Sequence, residues 1–194
     1  LLRCFKGNTK MIKTLKGLLT IASKKDIRYY LNGIHVKCGD DGIVKMEASD
    51  GHSGMILTIK SEMFNVEPNT DVILCGVSLA NLLKLFGPKA TPTFSISNES
   101  ARIGEYNVEL IDGRYPDLAR AMRLYDKGDG SKCNEIGLDF IILGRVCKAC
   151  ELVLHEHNFK AGLLTLRDAS TSVIITRIFN DVDTLQAAIM PTRL

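Results

Sequence analysis

The chain is poor in the residues that mark several specialised protein classes. It has no tryptophan, five prolines and only 6% aromatic residues among 194. Its six cysteines stand at irregular spacing and are too sparse for a disulfide scaffold, so free thiols in a reducing compartment are expected. No apolar run approaches the length of a membrane-spanning helix, so neither a membrane span nor a membrane partner is expected.

Charge is also nearly balanced. The formal net charge is +3, which is too small to indicate nucleic-acid binding by itself. Only the placement of the basic residues can show whether the chain binds nucleic acid. The first residues lack the basic start and long apolar stretch of a secretory signal, and a cytoplasmic location is therefore expected. With 45% hydrophobic residues, the length fits one or two globular domains.

Hydrophobic periodicity predicts alternating helices and strands. From about residue 8, apolar residues such as Met11, Leu15 and Leu18 recur at helical spacing. Further helices are predicted near residues 78–86 and 139–154. Strands are predicted near residues 27–38, 43–48, 54–60, 71–75, 91–97, 101–103, 106–111, 134–138, 162–167, 172–179 and 185–190.

These elements predict a repeat of roughly sixty residues that occurs three times, as a strand, a helix and then three strands. The fold class expected is therefore α+β. Residues 123–132 are polar and contain glycine, as expected of a linker between two parts of the chain.

Two motifs resemble enzyme or metal sites. Asp50-Gly51-His52 has an acid and a base, but a histidine in a turn between strands is more often structural, and no hydrolase motif accompanies it. Cys147 and Cys150, with His155 and His157 shortly after, have zinc-ligand chemistry. Because the two cysteines lie mid-helix beside apolar positions, we interpret them as core residues. No catalytic residue, metal or cofactor is expected.

The first predicted helix carries lysines of one sign. Lys10, Lys13, Lys16 and Lys24 form a stripe along it, since residues three and four apart share a helix face. A solvated surface explains such a stripe as simply as contact with DNA does.

Four ordered segments resemble the bacterial DNA polymerase III beta sliding clamp family. They are residues 28–33, the turn Asp50-Gly51-His52, residues 111–117 and residues 189–194. The resemblance implies a DNA clamp fold of repeated half-domains, with sheets outside and helices lining a ring. Residues 1–122 are similar to the family's complete middle domain, and residues 133–194 to the second half of its last domain.

The resemblance also implies two functional surfaces. Basic residues on the inward helices would meet DNA phosphates without reading sequence: Lys10, Lys13, Lys16, Lys24, Lys84, Arg145 and Lys148. A hydrophobic groove would dock short polymerase and clamp-loader peptides, formed by Ser49, Gly51, His52, Pro116, Arg120, Met190, Pro191, Arg193 and Leu194. Ser53, Gly54, Ala121 and Thr192 depart from the family's usual residues, so the groove is expected to differ in shape.

The function implied is that of a processivity factor, which holds a replicative polymerase on duplex DNA and needs a clamp loader. The family's ring has twelve half-domains and this chain supplies three, so a homotetramer is expected. The short chain suggests a phage or mobile-element origin. The alternatives are an enzyme using the Asp50-Gly51-His52 turn or the cysteine and histidine cluster, and an interaction protein that uses the clamp face without encircling DNA, such as a transcription co-activator or a decoy.

Overall fold

The computed structural model describes residues 7–60, 65–87, 90–122, 136–154, 162–166, 173–178 and 184–191, without the side chains of residues 7–10, 177 and 178. The helices are α1 (Gly7–Ile21), α2 (Gly76–Leu85), the short α3 (Leu118–Ala121) and α4 (Phe140–Val153). The strands are β1 (Gly33–Cys38), β2 (Ile43–Ser49), β3 (Ser53–Lys60), β4 (Asp71–Cys75), β5 (Phe94–Ile96), β6 (Ala101–Ile103), β7 (Tyr106–Val108), β8 (Leu110–Ile111), β9 (Leu163–Thr165), β10 (Val173–Ile178) and β11 (Thr184–Ile189).

The described strands form two antiparallel sheets. The larger has eight strands in the order β8-β4-β1-β2-β3-β11-β10-β9, and the smaller has the order β5-β6-β7. Helices α1, α2 and α4 pack on one face of the large sheet. The predicted α+β class with separate helices and antiparallel strands is confirmed.

The main core lies between these helices and the sheet. The periodic residues of α1, including Met11, Leu15 and Leu18, are fully buried there. Helix α1 packs closely against α4, because a Cβ added at Gly17 would lie 2.9 Å from the Ala149 carbonyl oxygen and from Val153 Cγ2. The small residue at position 17 therefore sets the distance between these two helices.

The pairing of β3 with β11 joins the N-terminal and C-terminal parts of the described chain. Ser53 is the register partner of Ile189, and five further residue pairs continue the ladder to Thr58 and Thr184. The C-terminal unit, defined here as the described part of residues 136–191, therefore directly extends the sheet of the first unit, the described part of residues 7–122. The predicted boundaries at residues 122 and 133 stay predictions, because the linker lies outside the described residues.

Three predicted strands differ from the structure. The strand expected at residues 106–111 is divided into β7 in the smaller sheet and β8 in the larger one. The strand expected from residue 27 begins at Gly33, because Asp26 and Asn32 exchange hydrogen bonds of 2.8 and 2.9 Å that stabilise a local turn. Residues 136–138, the described part of the strand expected at 134–138, have no strand pairing. The remaining strands and the three long helices were predicted within a few residues of their observed bounds, as far as these are described.

A second, smaller core covers the opposite face of the large sheet. Leu118, Met122 and Tyr115 from the segment after β8 pack there on Ile56 of β3 and Ala188 of β11. The short α3 within this segment is capped by Asp117, whose side chain accepts a hydrogen bond from the Arg120 backbone at 3.0 Å. This segment thereby crosses the β3–β11 junction.

Candidate functional site

The turn between β2 and β3 lies beside the end of β11, at the junction of the N-terminal and C-terminal parts of the described chain. Asp50 Oδ1 accepts hydrogen bonds from the backbone N–H groups of His52 at 3.0 Å and Ser53 at 2.8 Å. Gly51 has a φ of 88°, a left-handed conformation that favours glycine, and a Cβ there would lie 2.7 Å from Arg28 Nη2. The turn is therefore held in one shape, with Arg28 against its tip.

One groove opens beside this turn on the β3–β11 junction, and we call it the anchor groove. It has a volume of about 230 Å³. Its lining combines apolar and polar side chains: Arg28, Tyr30, Leu31, Ser49, Gly51, His52, Ser53, Pro116, Leu118, Ala121, Met122 and Met190. Five residues of the predicted peptide groove are thus brought together: Ser49, Gly51, His52, Pro116 and Met190.

The C-terminal strand closes one side of the anchor groove. The backbone N–H of Met190 donates to the His52 carbonyl oxygen at 2.9 Å, just beyond the β3–β11 ladder. Pro191 and Arg120 do not line the groove; Arg120 is exposed on α3. Arg193 and Leu194 lie outside the described residues. The predicted role of these four residues remains a prediction.

Met122 occupies space that a larger residue at position 54 would need. A Cβ added to Gly54 would lie 2.5 Å from Met122 Sδ and 2.8 Å from its Cε. Met122 itself is buried. The sequence departure at Gly54 is therefore matched by a side chain from the segment after β8, and the floor of the groove is apolar and adjustable.

A second groove opens beside the same turn on the helix side of the sheet, and we call it the basic groove. It has a volume of about 840 Å³, and four of the predicted DNA-contacting residues line it: Lys16, Lys24, Lys84 and Arg145. These residues come from α1, the segment after α1, α2 and α4. The fold thus gathers cations from three helices that are distant in sequence.

Two carboxylates also line the basic groove, and each has an arginine partner. Arg145 pairs with Asp50 and also donates to Ser53 Oγ at 3.2 Å. Burial acts to raise the pKa of Asp50, but backbone hydrogen bonds from Ser53 and His52, together with Arg145, lower it. A side-chain hydrogen bond from Arg28 lowers the pKa of Asp26 to about 2. Among the described residues, Lys16, Lys24 and Lys84 form no ion pair.

The other predicted cations lie elsewhere. Lys13 is half-buried on α1, and Lys148 is exposed on α4, where it pairs with Glu151 at 2.8 Å. The side chain of Lys10 lies outside the description. Arg145 is engaged with Asp50, a contact between α4 and the β2–β3 turn that sequence reasoning did not anticipate.

The cysteine pair of α4 is divided between core and solvent. Burial raises the pKa of the Cys150 thiol to about 12, whereas Cys147 is exposed. The interpretation of both thiols as core residues is therefore wrong for Cys147, because α4 is buried only on the side formed by Val146, Ala149 and Val153. His155 and His157 lie outside the described residues, within which no group of potential ligands is arranged to hold a metal ion.

Sequence reasoning also missed a polar cluster on the outer face of the large sheet, which is the face opposite the helices. Buried His35 forms hydrogen bonds with Glu47 Oε2 through Nδ1 at 2.7 Å and with Asp71 Oδ1 through Nε2 at 2.8 Å. The ring of Tyr115 stacks on it with centroids 4.8 Å apart. These residues come from three strands and a loop, so no local motif could have indicated the cluster.

Comparison with solved structures identifies the fold as that of DNA sliding clamps. The chain matches DNA polymerase III subunit beta from Pseudomonas aeruginosa with a TM-score of 0.66 and 16% identity, covering 96% of this chain and 65% of that one. It matches the DNA polymerase sliding clamp of Caulobacter crescentus with a TM-score of 0.60, 16% identity and coverage of 96% and 64%. It matches the Helicobacter pylori beta clamp with a TM-score of 0.61 and 15% identity, covering 96% of this chain and 64% of that one.

The similarity is in structure rather than in sequence. No protein-family model matches the chain, and no curated protein sequence matches it either. The chain spans about 65% of the length of the clamps that it resembles. Within the described residues, no helix is long and apolar enough to cross a membrane.

Proposed function

We propose that this chain is a subunit of a DNA sliding clamp, a protein without catalytic activity that retains a polymerase on duplex DNA. The observation that carries the proposal is the β3–β11 junction, which has the basic groove on its helix side and the anchor groove beside the same turn. A clamp needs both surfaces, one for phosphates and one for protein partners. The clamp fold supports this assignment.

The basic groove suits a DNA backbone rather than a base sequence. Lys16, Lys24 and Lys84 line it without a carboxylate partner among the described residues, and the lining has no phenylalanine, tyrosine or tryptophan on which bases could stack. Such cations bind phosphates by displacing counterions, which leaves the protein free to move along the duplex.

The anchor groove suits an extended peptide with one or two apolar side chains. Leu31, Leu118, Met122 and Met190 provide apolar contact area, while Arg28 and His52 add polar groups at the edge. A largely preformed groove gains affinity because little receptor ordering accompanies binding. The occupants we propose are terminal or linker peptides of a replicative polymerase and of a clamp loader, in the cytoplasm.

The assembly we propose is a ring of four copies. Three repeat units in each chain, against twelve in a complete ring, require four chains. The assembly would then have a mass of about 86 kDa in solution, four times the 21.4 kDa of one chain. A ring also leaves no sheet edge exposed to aggregation.

DNA contact is tested by the salt dependence of duplex binding. Lys16→Ala with Lys84→Ala should lower the slope of log affinity against log salt by about two, because two phosphate contacts are lost. Lys37→Ala with Lys45→Ala, on the opposite face of the sheet, is the charge-matched control and should leave the slope unchanged. Equal changes in both double variants would remove the basic groove from the DNA interface.

Peptide docking is tested with short fluorescent peptides that differ only in one anchor residue: alanine, leucine or phenylalanine. Binding should require the larger anchors, and Met190→Ala should weaken it about tenfold, or ~1.4 kcal/mol. Leu85→Ala, at an exposed site on α2, is the control. Peptide binding without DNA retention would favour a clamp-like interaction protein instead.

A further inference from the structure

The C-terminal unit has one side packed against the rest of the chain, the covered side, and one side whose apolar residues are exposed to solvent, the bare side. On the covered side, β11 pairs with β3 and α4 packs on α1. On the bare side, β9 pairs only with β10 among the described residues. Three leucines at this edge, Leu163, Leu164 and Leu166, are 69%, 54% and 48% exposed. Such an open apolar strand edge favours addition of another strand.

The start of α4 is bare as well. Phe140 and Ile141 are 84% and 82% exposed, although each is a large apolar residue. The preceding residues 136–138 contribute Ile136 and Leu138 at alternate positions, as in a strand, yet they have no strand partner in the described chain. The unit therefore offers both an unpaired edge and an unpaired strand-like segment.

The other units of the chain show how such a segment pairs. Strand β4 immediately precedes α2, and it pairs with β1, the first strand after α1. In that ladder Leu74 is the partner of Ile34, and Val72 is the partner of Val36, all on the buried helix side. The strand that precedes α2 thus pairs with the first strand that follows α1.

The C-terminal unit can be aligned with the first unit by the same relation between strands and helices. Leu138 stands two residues before the start of α4, as Leu74 stands two residues before the start of α2. Strand β9 is the first described strand after α4, as β1 is after α1. Leu164 pairs with Ile175 on the helix side, so Leu164 and Leu166 occupy the face that Ile34 and Val36 occupy in β1.

We propose that the bare side binds a second copy of this chain by reciprocal strand addition. Residues 136–138 of each copy pair with β9 of the other, with Leu138 opposite Leu164 and Ile136 opposite Leu166. The interface is self-complementary because each copy supplies the segment that its partner lacks. It also covers Phe140 and Ile141. This inference rests on the proposed ring and specifies one of its two kinds of subunit contact.

The first test is the mass of edge variants by light scattering at micromolar concentration. Leu164→Glu with Leu166→Glu should halve the mass of the wild-type assembly, because a charged edge resists strand pairing. Ile27→Glu, at the most exposed large apolar residue of the described chain, should have no effect. Circular dichroism and peptide binding at the anchor groove should remain unchanged, since that groove lies at the β3–β11 junction.

The second test is disulfide trapping in a variant that carries both Leu138→Cys and Leu164→Cys, with the exposed Cys147 replaced by serine. Oxidation should give a covalent dimer within minutes, because directly opposed strand residues have the Cα separation that a disulfide needs. Leu138→Cys with Leu163→Cys, on the opposite face of β9, is the matched control and should crosslink at least tenfold more slowly.

The outcomes separate this interface from the proposed function. Halved mass in the edge variant together with selective crosslinking supports the interface. An unchanged mass and equal crosslinking in both cysteine variants overturn it, and the DNA and peptide assays then still judge the clamp independently. A wild-type monomer at micromolar concentration overturns both this interface and the ring.

Discussion

The two sides of the C-terminal unit differ in how completely this chain covers them. One side has a six-pair ladder, a close helix contact and an arginine–carboxylate pair with the first unit. The other side ends in three exposed leucines and an exposed helix start. The difference supports the proposed subunit contact, in which the first side holds the unit to its own chain and the second binds another copy.

The largest expected effect comes from disturbing the covered side at Gly17. Gly17→Val should lower the free energy of unfolding by about 3 kcal/mol, because its side chain would collide with the α4 backbone. Gly144→Ala on the bare face of α4 meets no atom within 4 Å and should raise stability by about 0.5–1 kcal/mol through helix propensity. Urea unfolding measures both, and a destabilising Gly144→Ala together with a neutral Gly17→Val would reverse the assignment of the two sides.

The next effect concerns the ion pair that joins α4 to the β2–β3 turn. Arg145→Met should lower stability by about 2 kcal/mol, since Asp50 would keep its partly buried charge without a cationic partner. Lys148→Met breaks an exposed pair on the same helix and should change stability by less than about 0.5 kcal/mol. Urea unfolding of the Asp50→Asn, Arg145→Met double variant completes the cycle, and additive losses would contradict direct coupling.

A smaller effect is expected from pH at His35, on the outer face. Burial acts to lower its pKa, but hydrogen bonds that the protonated ring donates to the Glu47 and Asp71 carboxylates outweigh this and raise the pKa above the ordinary 6.5. The resulting stabilisation is fully present below pH 6.5 and is lost as pH rises through the folded-state value. His35→Gln should remove this pH dependence from urea unfolding, whereas an unchanged pH profile would show that His35 does not titrate in this window.

The sequence was sufficient for those parts of the fold that follow from periodicity. The apolar spacing of Met11, Leu15 and Leu18 predicted α1, and strands were predicted close to the observed β2 and β3. The prediction placed the start of β1 too early, because it did not include hydrogen bonds between side chains and the nearby backbone. The Asn32 side chain bonds the backbone of Asp26, and β1 begins only after this turn.

The site was predictable only in outline. Resemblance to a family indicated Gly51, His52, Pro116 and Met190, and these residues do line one groove. The burial of Met122 against Gly54 depends on packing between segments separated by more than sixty residues. The pairing of Arg145 with Asp50 likewise depends on tertiary structure, so a stripe of basic residues in sequence could not show which cation has a carboxylate partner.

The central claim, that copies of this chain encircle duplex DNA, is tested most directly by topology. Protein diluted to dissociate the ring and then reconcentrated with nicked circular DNA should stay on the circles through a high-salt wash. A single cut that linearises the DNA should then release it, because salt removes phosphate contacts but cannot remove a closed ring from a circle. Equal loss from circular and linear DNA in the same wash would contradict the account.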